Sequence, residues 1–545
     1  MQRWVVAVLV LAAVAASPAA GTSTQTPKRG GTLVMGTLRE PGCLNAYLIR
    51  CSSNLPPVGA IMRLAFRGAF RVGPDFVYQP DLLARAEYTT TPPYTLTYHI
   101  RRAARWSDGV PITARDFVFT QSAVRSVLNE VWEPDAAIYA IVRNVRAVDT
   151  KTVKVVLRSR FAGWRGLFPY VLPSHAVQGA DFSKVWLDRL HNPKTGRPIG
   201  SGPFLVSVWE RGRALTFVRN PRYWKRQASL DRLILRFCGQ CPGGAEQLEL
   251  LRNGEIDLVR SIALSGEQVQ ELRGFPGVNV LARPGASWEH IDIRMASGGH
   301  PSLKRKPVRR ALLLGIDRVA LARALYGQVD SRYPASDSAV FLTGSAPYRS
   351  NWSEYRFRPQ DSRRLLEQQG CRRGSDGIYV CEGGRISLRL ATLSGDPRRQ
   401  QAVEAVQRQL RQAGIDIVPT YAPGSTLFDQ IVPSGSFDLV LFSYIKDPAG
   451  SGDSFGLYGC GGEQNYGGYC QRLVSRELDQ ARRILDASRQ ARLLNRVDAQ
   501  LAKDVPVIPL YQNPVVAASN AKVRNVRLGV FWDPFANAED WWLAE

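Results

Sequence analysis

Residues 94–120 read YTLTYHIRRAARWSDGVPITARDFVFT. Tyr94, Leu96, Tyr98 and Ile100 alternate with Thr95, Thr97, His99 and Arg101, the two-residue period of a half-buried strand. Trp106-Ser107-Asp108-Gly109 breaks that period, because Asp-Gly is a turn dipeptide. Val110-Pro111-Ile112 resumes an extended path. Thr113, with Asp116 three residues on, predicts a variant capping box that opens a helix through Phe117 and Phe119. The unit is strand, tight turn, helix, and turn and cap chemistry already accounts for Asp108, Gly109 and Thr113.

Around this unit the chain is long, 545 residues, and exceeds one ordinary domain. A hydrophobic content of 45% with 12 Trp and 20 Phe excludes a disordered chain. The N-terminus, MQRWVVAVLVLAAVAASPAAGTST, has a basic start at Arg3, an apolar run and small residues near 16–21. It predicts an export signal over 1–21. Its apolar run is shorter than the roughly 20 residues of a membrane-spanning helix. An uncleaved signal acting as a tether is the alternative.

The eight cysteines form four close pairs: Cys43 with Cys51, Cys238 with Cys241, Cys371 with Cys381, Cys460 with Cys470. An even number in an exported chain favours four disulfides closing short loops. Cys238-Gly239-Gln240-Cys241 also has redox-motif spacing ahead of a helix beginning near Ala245. A four-thiolate zinc site would need two pairs to converge, and no flanking histidine supports it. The formal charge is +24, mostly from arginine. No run of five like charges appears, the densest stretch being Lys304-Arg305-Lys306 with Arg309-Arg310, and the exported address disfavours nucleic acid.

One motif looks catalytic. Gly452-Asp453-Ser454-Phe455-Gly456 fits the nucleophile elbow of hydrolases, which requires a strand directly before and a helix directly after. Hydrolase order also places the base histidine after the serine, whereas His99, His175, His191, His290 and His300 all precede Ser454. No phosphate loop or dinucleotide fingerprint appears, so neither cofactor nor enzyme activity is expected. His290 with Glu289 and Asp292 is a weak metal candidate, because strand alternation throws adjacent side chains to opposite faces.

Read in order, 30–36 is a first strand and 37–45 the loop behind it. Residues 230–237, 245–252 and 255–259 read as strand, helix and strand, with Asn253-Gly254 closing the helix, which predicts a parallel crossover pair. A helix pair over 303–326, a helix over 402–413, a buried strand over 437–445, a Gly-rich loop over 449–470, a helical pattern over 475–501 and a strand over 505–511 follow.

Tyr94, Leu96, Tyr98, Arg101, Trp106, Asp108, Gly109, Pro111, Thr113, Ala114, Asp116 and Phe117 together resemble a tract of the family 5 extracellular solute-binding proteins, receptors of peptide and nickel ABC importers. Ile199-Gly200-Ser201-Gly202-Pro203-Phe204 and Arg219-Asn220-Pro221-Arg222-Tyr223-Trp224 resemble two further motifs of that family, as do Trp288 to Ile293 and Arg310-Ala311-Leu312 with Ile316-Asp317-Arg318. The resemblance covers nearly the whole chain after the signal. It implies an α/β, two-lobed fold like the type II periplasmic binding proteins, with an additional small domain. Lobe I would comprise 28–56, 199–287 and 505–545, the inserted small domain 57–198, and lobe II 288–504.

By the same resemblance, the loop after the first strand brings Arg39, Glu40 and Asn45 to a ligand cleft, and the strand ending at Tyr444, Ile445 and Lys446 places Asp447 against a peptide α-ammonium. Lys446 is the alternative occupant of that slot, and an Asp-Pro turn the alternative role of Asp447. Trp288 and Tyr444 would line side-chain pockets, and Asn465 matches a family asparagine-aromatic element. The implied protein is an extracytoplasmic monomer without a lipid-anchoring cysteine near its signal. It would capture peptides and deliver them to membrane permease subunits. A sugar, a metal chelate or a Ser454 hydrolase stand as alternatives.

Overall fold

The computed structural model describes residues 27–37, 40–52, 57–73, 77–127, 130–131, 138–237, 245–261, 264–446, 453–529 and 534–545. After β1 (Thr32–Thr37) the chain builds a small antiparallel sheet of β2 (Leu83–Thr89), β3 (Thr95–Ile100), β4 (Val142–Ala147) and β5 (Thr152–Leu157), in spatial order β2-β3-β5-β4. The alternation in β3 is borne out: Leu96, Tyr98 and Ile100 are buried and the residues between them are not. The turn closes through a Trp106 N–H donating to the Val110 carbonyl at 2.8 Å, with Gly109 at a φ of +97°. Helix Ala114–Ser126 follows. The Asp116 carboxylate accepts from the Thr113 N–H at 2.8 Å and also from the Ser174 N–H and hydroxyl. One cap therefore starts a helix and fastens a distant segment against it.

The main sheet has ten strands. In addition to β1 it takes β6 (Phe204–Glu210), β7 (Ala214–Arg219), β8 (Arg232–Phe237), β9 (Leu258–Ser261), β10 (Val278–Ile293), β11 (Ser387–Leu393), β12 (Asp416–Ala422), β13 (Leu439–Ile445) and β14 (Val507–Asn520). Their order is β12-β11-β13-β10-β14-β9-β1-β8-β7-β6. The crossover through helix Ala245–Arg252 is present, but β8 and β9 do not pair with each other. Both run parallel to β1, one on each side of it.

Two large apolar clusters fill the molecule. One joins β1 and β8 to the small sheet through Leu33, Leu233, Tyr98, Trp106, Trp186 and Trp541; the other packs Trp288, Tyr326, Trp352 and Leu494 around the far half of the main sheet. Burying one such large apolar side chain contributes about 1.5–3 kcal/mol. Disulfides Cys43–Cys51, Cys371–Cys381 and Cys460–Cys470 close loops as the spacing predicts. Cys238 and Cys241 lie outside the described residues. The helical pattern over 475–501 is two helices, Arg472–Ala481 and Ala487–Asp504, the second capped by an Asp486 carboxylate accepting from the Arg489 N–H. Within the expected Gly-rich loop, Asp453–Tyr458 is helical.

Candidate ligand cleft

Strands β10 and β14 pair antiparallel from Val278 opposite Asn520 to Asp292 opposite Val507, and their register slips between Pro284 and Trp288. Pro284 and Gly285 sit at that slip, where a ladder is weakest. On one side β9 follows β14, among the described residues, as far as Ser261, opposite Val516, which in turn faces Ala282. On the other side β13 follows β10 only from Ser287, opposite Ile445, onward. β9 points with β10 and β13 against it, so their carboxyl ends approach the slip from opposite directions. The step from Ala282 to Ser287 is about 16 Å of extended chain. Thr37 and Phe237, paired at the ends of β1 and β8, share the rim with Ser261. Ligands of open α/β sheets bind outside the carboxyl ends of the strands. The gap between these two sets of ends is the candidate cleft, and the slipped strand pair is the candidate hinge.

A buried polar network locks the hinge strands together. The Gln512 amide donates to the Gly285 carbonyl at 2.6 Å and accepts from the Thr343 N–H at 2.7 Å. The Asn513 amide donates to Glu289 Oε2 at 3.0 Å and Ser287 Oγ at 3.3 Å, and its oxygen accepts from the Tyr326 hydroxyl. Arg399, at the start of helix Pro397–Gln412, donates to Glu289 Oε1 at 2.7 Å and Ser443 Oγ at 3.1 Å. Burial alone would lower the Arg399 pKa, but the facing Glu289 carboxylate overrides it and holds it raised. Nothing in the sequence reading singles out Gln512 and Asn513. Their signal is a polar pair inside the apolar run VIPLYQNPVVAA.

On the opposite face of β10, Trp288, His290 and Asp292 stand in a row. The His290 ring stacks between Trp288, 4.5 Å away, and Tyr444, 4.9 Å away, and Phe442 meets it edge-on at 4.7 Å. His290 Nε2 lies 3.5 Å from Asp292 Oδ1. Burial depresses His290 to about 3 and raises Asp292 to about 8, so at neutral pH the pair is uncharged. Alternation does send Glu289 the other way, as the sequence predicts, but His290 and Asp292 are two residues apart and share a face. Among the described residues no group of three histidine, cysteine or acidic side chains is arranged to hold a metal ion.

The predicted site residues scatter around this frame. Tyr444, half-buried, and Ile445, exposed, end β13 at the rim, and Trp288 is fully buried behind them. Lys446 is buried, with its ammonium donating to the Ser338 carbonyl at 3.2 Å and the Phe341 carbonyl at 3.4 Å. Glu40 lies against β6 and the turn that follows it, its carboxylate accepting from Trp209 Nε1 at 2.7 Å and the Gly212 N–H at 3.0 Å. Asn45 is fully buried and donates to the Phe182 and Val185 carbonyls. Asn465 spans its own loop, donating to the Gly459 and Tyr469 carbonyls. Arg39 and Asp447 lie outside the described residues.

Ser454 does stand in the first turn of a helix, as an elbow requires. The histidines are engaged elsewhere: His175 with Asp108 at 2.7 Å, His300 with the Arg385 carbonyl, His191 with the Arg189 carbonyl, His99 beside Arg85 and Glu87, and His290 in its ring stack.

Two strands carrying one sheet across a hinge, with strand ends facing over a gap, define a two-lobed receptor for a solute. The chain belongs to the bacterial extracellular solute-binding proteins, family 5: the model of that family's middle region matches residues 77–466. Across 506 residues it is 28% identical to the oligopeptide-binding protein OppA of Mycobacterium tuberculosis, covering 91% of this chain and 82% of that one. Its fold superposes on the periplasmic EDTA-binding protein EppA with a TM-score of 0.86 at 23% identity, covering 96% of this chain and 98% of the other. It also superposes on the oligopeptide-binding protein AppA of Bacillus subtilis, solved with a nonapeptide, with a TM-score of 0.78 at 20% identity, covering 95% and 100%. Members of this family work outside the cytoplasm. No helix among the described residues is long and apolar enough to cross a membrane.

Proposed function

We propose that this protein captures peptides in the cleft between its lobes and delivers them to the permease of an ABC importer. The observation that carries the reading is the approach of the β9 and β13 carboxyl ends to the slipped β10–β14 register from opposite sides. A solute seated there touches both lobes, so it favours the closed arrangement over the open one, and closure reports occupancy to the membrane partner. An extended peptide would pair its backbone with strand edges at the rim, which gives affinity without reading side chains.

Asp447 would hold the α-ammonium through a charge-assisted bond, with Tyr444, Ile445, Arg39 and the loop held by Glu40 shaping the rim. Lys446 and Trp288 support it from behind. The lobes would divide at residues 287 and 505, with 57–198 as the inserted domain, and the exported protein would act as a monomer that turns nothing over.

Native mass spectrometry of the exported protein as purified, before and after mild denaturation, tests this reading. A co-purified mixture of short peptides is the expected result. A single defined small molecule such as a sugar or metal chelate would keep the receptor and remove the peptide. Turnover abolished by Ser454→Ala would remove both.

A further inference from the structure

We propose that the seam between the small domain and lobe I, on the side away from the cleft, carries a binding surface for the phosphate headgroups of an anionic bilayer. Two adjoining depressions of about 710 and 550 Å³ share Ala103 and Trp224 and are lined by Arg101, Arg102, Arg105, Arg222 and Lys225. Their place follows from strand direction. β8 points its carboxyl end at the cleft, β7 runs antiparallel to it, and Arg222 to Lys225 come after β7 ends at Arg219. A ligand here leaves the cleft free.

Four of the five cations are uncompensated, the fifth, Lys225, being paired with Asp81. Asp108, which lines the first depression, is bound to His175 at 2.7 Å, and neighbouring acids are paired: Asp81 with Arg67 and Lys225, Glu539 with Arg67 at 3.3 Å, Asp540 with Arg226 at 3.5 Å and Asp231 with Arg219 at 2.7 Å. Burial would raise the Asp81 pKa, but Arg67 and Lys225 hold it low, so that acid stays charged and spent on them. Among the described residues, Arg101, Arg102, Arg105 and Arg222 form no ion pair. Three of these guanidinium groups are fixed by neutral carbonyls instead: Arg101 by Asp81 at 2.9 Å, Arg105 by Ala103 at 3.3 Å and Arg222 by Asp108 at 2.7 Å. Arg102 rides on the turn between them, which the Ala104 N–H bond to the Arg101 carbonyl closes. Their remaining N–H groups form preset forks for phosphate oxygens.

The depressions are open, and Val110, 39% exposed, stands beside the half-buried Trp224 at their edge. Open guanidinium forks rimmed by an aliphatic and an aromatic side chain fit a headgroup layer better than an enclosed ligand.

Co-sedimentation of the full mature chain with phosphatidylglycerol-containing vesicles, against pure phosphatidylcholine, tests the proposal. Binding is expected only to the anionic vesicles and should weaken as salt rises. Arg102→Glu with Arg105→Glu should lose about 30-fold, since each basic residue near such a surface contributes about fivefold. Arg408→Glu with Arg472→Glu, an equal charge change on exposed helix positions elsewhere, should lose less than about threefold by the same scale. Arg222→Gln provides a second variant if the turn pair melts early, and solute capture in the cleft should survive all of them. Equal losses in both charge-reversed pairs would reduce the effect to net charge and overturn the proposal. So would an absence of vesicle binding, or a groove that takes acidic peptides while vesicles stay free.

Discussion

The Lys446 ammonium lies 3.9 Å from the centroid of the Trp288 ring, and the two residues meet where β13 ends and the β10–β14 register slips. That ammonium also donates to two carbonyls of the 338–341 segment, so it is a strut of the rim. Truncation would remove the ammonium from both carbonyls and from the ring, leaving the Ser338 carbonyl with the Ser336 hydroxyl. Lys446→Ala should therefore cost about 1–3 kcal/mol of stability, read from urea unfolding. A variant that unfolds like the wild type while losing solute would move Lys446 from strut to ligand contact.

The ion pair of Glu289 with Arg399 is a buried one, and removing a single partner strands the other charge. Glu289→Ala should destabilise by about 3–5 kcal/mol, with Glu289→Ala/Arg399→Met recovering part of that loss. An additive double variant in denaturant titrations would show that the two side chains are not coupled.

Asp292 and His290 set opposite pH slopes. Below its ordinary value of 6.5, an unfolded histidine takes a proton that buried His290 refuses until about 3, so stability falls as pH drops through that window. Above its ordinary value of 3.8, an unfolded aspartate loses a proton that Asp292 keeps until about 8, so stability falls as pH rises through that one. The two slopes cancel where the windows overlap, leaving a decline between pH 6.5 and 8. Asp292→Asn should abolish this decline and leave a stability that climbs from pH 4 to 6.5. Thermal midpoints across that range decide it. A variant with the wild-type profile would place the alkaline loss elsewhere.

The Cys371–Cys381 bridge closes a loop with a separation of 10 residues. In the chain-entropy model such a closure contributes about 3 kcal/mol. Cys371→Ser/Cys381→Ser should lower unfolding stability by that order and leave solute affinity in place, because the bridge lies on a loop outside the candidate cleft.

What the sequence discloses and what it hides divide along a physical line. The alternation of β3, the Thr113–Asp116 cap and helix Ala245–Arg252 are local, set by residues within a turn or two of one another, and each is where the pattern places it. Strands β10 and β14 are longer than their patterns suggest, beginning at Val278 and running on to Asn520. Pro284-Gly285 and Pro509 with Pro514 read as interruptions, yet partner strands carry the chain through them. The position of β9 beyond β1 is likewise a matter of sheet order, which no local pattern encodes. The candidate cleft is harder still. Glu40, Asn45 and Asn465 have the polar character of ligand residues, but their partners are backbone groups and side chains up to 172 positions away in the chain.

Among the described strands, β10 and β14 alone run past the register slip from one side to the other, and they lie side by side. The first and last described segments meet in the other half: Lys28 pairs with Glu545 there, and Gly31 rests against Leu543. The stretch from Trp288 to Gln512 is thus a closed excursion whose entry and exit are neighbours.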